Sequence, residues 1–124
     1  MLKYILAFVL VAFPAIAQQR STINVTPVDC SGTITNGTTA QNAMTASSGR
    51  QGFQIQNLDA TEPLWINLSG TATIGATSPG SYVLAAATPS TFQNGGSYYS
   101  PFGFNKAVSV NATTTGHKFA CTSW

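Results

Sequence analysis

Titratable side chains are scarce in these 124 residues: one histidine, five lysines and arginines, three carboxylates, and only 6% charged residues in all. So balanced a charge excludes a nucleic-acid or anionic-membrane partner, which needs a basic patch. One histidine, with two cysteines that are most simply paired with each other, leaves no zinc cluster. Serine is abundant, but no Gly-x-Ser-x-Gly elbow frames any serine. No cofactor-binding fingerprint is present, and no apolar run reaches the ~20 residues of a membrane-spanning helix. Repeats of fixed period and linkers are absent too, so a single domain is expected.

What is present begins with an export leader. Met1-Leu2-Lys3 gives a positive start, Tyr4 to Phe13 an apolar run, and Pro14-Ala15-Ile16-Ala17 a small-x-small cleavage pattern. Residues 1–17 therefore read as a signal peptide helix, and residues 18–124 as the mature domain. Once the leader is removed, Arg20, Arg50, Lys106 and Lys118 face Asp29, Asp59 and Glu62, a net charge of +1. Solubility then rests on Ser, Thr, Asn, Gln and Gly, a neutral skin that suits packing against neighbouring subunits. The remaining cysteines, Cys30 and Cys121, stand near opposite ends of the mature chain. In an exported protein such a pair is most simply a disulfide, closing a loop worth on the order of 4–5 kcal/mol in the chain-entropy model.

The mature chain alternates at period two. In Arg50–Gly70, Phe53 and Ile55 alternate with Gln54 and Gln56, and Leu64, Ile66 and Leu68 with Trp65 and Asn67. Between them lies a polar turn with Asp59, Glu62 and Pro63, so a central β-hairpin is predicted. Asn36-Gly37 predicts a tight type I′ reversal. Thr38 to Ala46 fits neither period, and its context favours a strand over a helical turn. Further strands are predicted at Ile23–Val28, Thr33–Thr35, Thr71–Ile74, Tyr82–Leu84, Thr91–Gln93, Val108–Val110 and Lys118–Trp124. Eight to ten short antiparallel strands between Gly, Pro and Asn turns predict an all-β, jelly-roll-like sandwich.

Candidate chemistry is thin. His117 sits between two predicted strands and reads as a solvated turn residue rather than a triad member. Asp59 and Glu62 share one turn, too close for facing glycosidase carboxylates and too few for calcium, so no catalytic or metal residues are assigned. Four aromatics crowd Tyr98 to Phe104. Trp65, Tyr98, Tyr99 and Phe102 are the candidate binding residues, with Phe104 and Trp124 nearby in type. Trp65 is the best candidate for an outward aromatic, because Leu64, Ile66 and Leu68 hold the opposite face. Asn24, Asn36, Asn67 and Asn111 each begin a glycosylation acceptor pattern.

Gly32-Thr33-Ile34-Thr35, Thr39-Ala40-Gln41, Arg50 to Asn57, Leu64-Trp65-Ile66-Asn67 and the ending Thr114 to Trp124 together carry a resemblance. The chain resembles small β-sandwich virion-associated proteins of tailed bacteriophages and prophages, of the decoration or fibre type. The resemblance implies a non-enzymatic, self-associating module that contacts other virion proteins or a cell surface. The export leader and the cysteine pair depart from it and point outside the cytoplasm, to a secreted, periplasmic or extracellular site, or to a virion surface. The alternative from another class is a secreted carbohydrate- or peptide-binding module using exposed aromatics. No cofactor and no stable membrane insertion are expected.

Overall fold

The computed structural model describes residues 25–75, 80–88 and 95–124. The signal peptide expected over residues 1–17 and the strand expected at Thr91–Gln93 lie outside the described residues. Nine strands occur among them: β1 Val28–Asp29, β2 Gly32–Thr33, β3 Gln41–Met44, β4 Phe53–Asn57, β5 Leu64–Asn67, β6 Ser81–Leu84, β7 Ser97–Ser100, β8 Val108–Asn111 and β9 Lys118–Ser123. All pair antiparallel in two sheets. Sheet A runs β1-β9-β4-β7, with β2 also on β9, and sheet B runs β3-β8-β5-β6.

β1 and β2 lie end to end along β9, with Val28 opposite Ser123 and Gly32 opposite Phe119. Counted as one strand interrupted at the Cys30 corner, they make eight. The orders then become first-eighth-third-sixth and second-seventh-fourth-fifth, which is a jelly roll. Cys30 and Cys121 form the expected disulfide, their Cα atoms 4.7 Å apart. It fastens the interrupted first strand to the last and fits an oxidising, extracytoplasmic compartment.

The expected central hairpin is corrected. β4 pairs with β7 and β9, whereas β5 pairs with β6 and β8, so residues 58–63 form an arch from one sheet to the other. Period-two burial is satisfied as well by two strands facing across a core as by two lying side by side. From β2 onward only β5 and β6 are both consecutive and paired; every other connection changes sheet. Asn36-Gly37 is likewise a cross-sheet turn between β2 and β3. The Thr39 amide donates to the Asn36 carbonyl at 3.2 Å, and Thr38, not a glycine, takes the positive φ of 66°. Gly37 is there for room: a Cβ would lie 2.4 Å from the Thr113 carbonyl oxygen.

The core lies between the sheets. Phe53, Ile55, Phe119 and Cys121 enter from sheet A, and Met44, Leu64, Ile66, Leu84, Val108 and Val110 from sheet B. Each fully buried Ile, Leu or Phe contributes about 1.5–3 kcal/mol, so this layer outweighs the sparse surface charge.

Candidate functional site on the outer face of sheet A

The expected aromatic cluster is split by the fold. Trp65 points away from the core, as predicted, but is only 9% exposed. The reason is the predicted strand Thr71–Ile74, which is instead a loop folded over the outer face of sheet B. There the Ala72 amide donates to Ser109 Oγ at 3.0 Å, and Asn111 Nδ2 donates to the Ala72 carbonyl at 3.1 Å. Trp65, Asn67, Ser109 and Asn111 are all buried in this face. Among the described residues, Trp65 Nε1 and Asn111 Oδ1, on residues directly opposite in register, are the buried groups of the face without a hydrogen-bond partner. The acceptor patterns at Asn67 and Asn111 are therefore structural amides; Asn67 closes β5 by accepting from the Ser69 and Gly70 amides at 2.9 Å each.

Tyr98 turns inward at the sandwich margin, with its ring centroid 5.8 Å from that of Phe53 and 5.2 Å from that of Tyr82. Phe104 packs on Phe53 at 5.4 Å. Phe102 stands 81% exposed in the loop after β7.

Tyr99 is different. It is 58% exposed on the outer face of sheet A, with Trp124 beside it at a centroid distance of 5.7 Å. The main chain holds Trp124 in place, because its amide and carbonyl both bond to Gly52, at 3.0 and 2.9 Å. Gly52 lets the indole lie close: a Cβ there would come within 2.8 Å of the ring.

Register supplies the rest of the face. Gln54 stands opposite Tyr99 on one side and Thr122 on the other, and Thr122 stands opposite Asp29. In the next row Gln56 lies between Ser97 and Ala120. The Gln54 amide and the Thr122 and Tyr99 hydroxyls have no hydrogen-bond partner among the described residues, and Gln56 has only a long 3.5 Å bond to the Gly95 carbonyl. The Asp29 carboxylate accepts from the Ser31 amide at 2.8 Å and is held below its ordinary pKa by Ser31. Gln54, Gln56 and Thr122 are the residues that sequence reasoning missed. The alternation of Gln54 and Gln56 with Phe53 and Ile55 was the available signal, but only register joins them to Tyr99.

The titratable groups gather elsewhere, under the arch. His117, expected to be solvated, is 1% exposed. Asn57, fully buried, explains why: its Nδ2 donates to the carbonyls of Glu62, Leu84 and Ala85 at 2.8, 3.1 and 3.1 Å. That fixes the amide, so Oδ1 accepts from the Asp59 amide at 2.8 Å and from His117 Nε2 at 2.9 Å. His117 is thus the Nε2–H tautomer, with Nδ1 bare and 3.8 Å from Asp59 Oδ2. Burial lowers the His117 pKa, opposed by the charges of Asp59 and Glu62. Asp59 Oδ1 accepts from Thr61 and Glu62 amides, the expected turn role, and these bonds lower its pKa despite partial burial. Glu62 is lowered first by the hydroxyl of Thr113. No serine or threonine hydroxyl bonds His117 among the described residues; its bond to Asn57 fastens the arch.

At the margin between β1 and β3 lies a groove of about 630 Å³, lined by Val25, Val28, Ala43, Met44, Arg50 and Trp124 among others. Its one cation among the described residues is already engaged: the Arg50 guanidinium donates to the carbonyls of Phe104 and Lys106 at 3.3 and 2.8 Å, and to that of Thr45. No family model, curated protein or solved structure matches this chain.

Proposed function

We propose that the protein is exported and works without catalysis, as a self-associating structural or surface-attachment module similar in role to the decoration and fibre modules of virions. The observation that carries this reading is the outer face of sheet A, uncovered among the described residues, where the exposed Tyr99 with Trp124 beside it adjoins a row of unengaged amides and hydroxyls. Its partners are then virion or cell-surface proteins or glycans. Self-association has its own support. Among the described residues β6 is an edge strand with Tyr82 and Val83 47% and 49% exposed, and an unpaired edge with apolar side chains is a template for another chain.

Two measurements test the reading. In light scattering the mature chain should run as a trimer or larger, and Val83→Lys should shift it to a monomer. Mixed with washed bacterial envelopes, it should co-sediment at low and high salt alike, because the face carries few charges. A clean monomer that stays in the supernatant overturns the proposal.

A further inference from the structure

We infer that the outer face of sheet A is a binding site for a neutral glycan, read by Tyr99, Gln54 and Thr122 with Trp124 and Gln56 beside them. The inference rests on the surface-attachment reading and names the ligand class of that face. The argument starts from shape. Tyr99, Gln54, Thr122 and Asp29 occupy successive strands β7, β4, β9 and β1 in one row. Three strand spacings of about 4.8 Å make the row about 14 Å long, an elongated strip that follows the twist of the sheet. An extended chain of sugar rings matches such a strip better than a compact ligand.

Chemistry narrows the class. A pyranose has an apolar face of C–H bonds and a rim of hydroxyls. The C–H face suits the negative π face of an aromatic ring, here Tyr99 at 58% exposure, steadied by Trp124. Hydroxyls both donate and accept, and so do a glutamine amide and a threonine hydroxyl. The Gln54 and Thr122 groups have no hydrogen-bond partner among the described residues, so binding breaks no bond seen there. Charge favours a neutral glycan over an anionic one: among the described residues the formal charges of the face are Asp29 on β1 and Lys118 on β9, one of each sign at its margins, with no net charge to draw an anion.

A protein partner fits less well. Protein interfaces of standard size bury roughly 800 Å² per side around an apolar centre. Here the centre is Gln54 and Gln56, and the aromatics lie at one corner.

Affinity electrophoresis of the mature protein through gels containing single polysaccharides tests this. The panel is neutral (dextran, mannan, glucomannan, xylan) and anionic (alginate, heparin). At least one neutral polymer should retard the protein, and Tyr99→Ala should weaken that binding about tenfold, the effect of losing one aromatic contact. Gln54→Ala should weaken it severalfold with the melting temperature unchanged. Retardation by the anionic polymers alone, or by a neutral polymer with Tyr99→Ala and Gln54→Ala indistinguishable from the parent, overturns the inference. If the protein co-sediments with envelopes but no polysaccharide retards it, the glycan class is overturned and attachment to a protein stands. If neither occurs, both readings fail.

Discussion

The outer faces of the two sheets are built from the same kinds of residue and have opposite fates. On sheet B, Trp65, Asn67, Ser109 and Asn111 lie beneath the chain's own loop, their polar groups largely spent on Thr71, Ala72 and neighbouring backbone. On sheet A, Tyr99, Gln54, Gln56 and Thr122 carry an equivalent mixture of aromatic, amide and hydroxyl, and nothing in the described chain covers them. An aromatic flanked by amides is thus not a binding surface by composition. It becomes one when the chain leaves those groups without internal work.

The sharpest way to break this comparison is to truncate the aromatic on each face. Trp65→Ala should destabilise the protein by about 3–5 kcal/mol, because it empties a buried site beneath the loop. Tyr99→Ala should cost about 1 kcal/mol, the order of one lost aromatic pair. Urea denaturation measures both, and equal costs would mean that the two faces are equivalent. Deleting an amide is the next step down. Asn67→Ala should cost about 2 kcal/mol, since the Ser69 and Gly70 amides lose their acceptor and the Thr71 carbonyl its donor.

Layers were legible in the sequence, but partners were not. Phe53, Ile55, Leu64 and Ile66 announced two half-buried strands, and both exist with those residues in the core. Whether six intervening residues make a hairpin or an arch depends on groups far along the chain. Asn57 reaches Leu84, Ala85 and His117, and no local pattern encodes those contacts. His117 was misplaced for the same reason: it is held in the interior by a hydrogen bond from its Nε2–H to an amide oxygen 60 positions earlier. The disulfide was legible because two cysteines leave one pairing. For Trp65 the direction was legible and the exposure was not, since the covering loop follows β5 in sequence but read as a strand.

Acid separates the buried polar groups from the open face. Burial holds His117 below its ordinary value of 6.5, so the unfolded chain takes up the proton more readily than the folded one. Stability is therefore full above 6.5, falls as pH is lowered through that value, and levels off below the folded-state value. Asp59 and Glu62, lowered in the fold, add a loss of the same sign at more acidic pH. His117→Gln should flatten the first step of a melting-temperature profile against pH. Glycan retardation, carried by residues outside the arch, should stay level across the same step; a parallel fall would place binding under the control of the arch.

The smallest effect is the most discriminating. Gln54→Ala removes an amide of the same kind as Asn67, yet Gln54 is exposed and its side-chain amide bonds to nothing in the described chain. Its stability cost should stay within about 0.5 kcal/mol, the range of a surface substitution. A cost near that of Asn67→Ala would mean that Gln54 already has a task inside the fold, and the face would then be structural. A stability curve that superimposes on the parent, with polysaccharide retardation reduced, can arise only if the amide serves something outside the chain. Gln54 lies at the centre of the row, opposite both Tyr99 and Thr122, so no other single residue tests the face so directly.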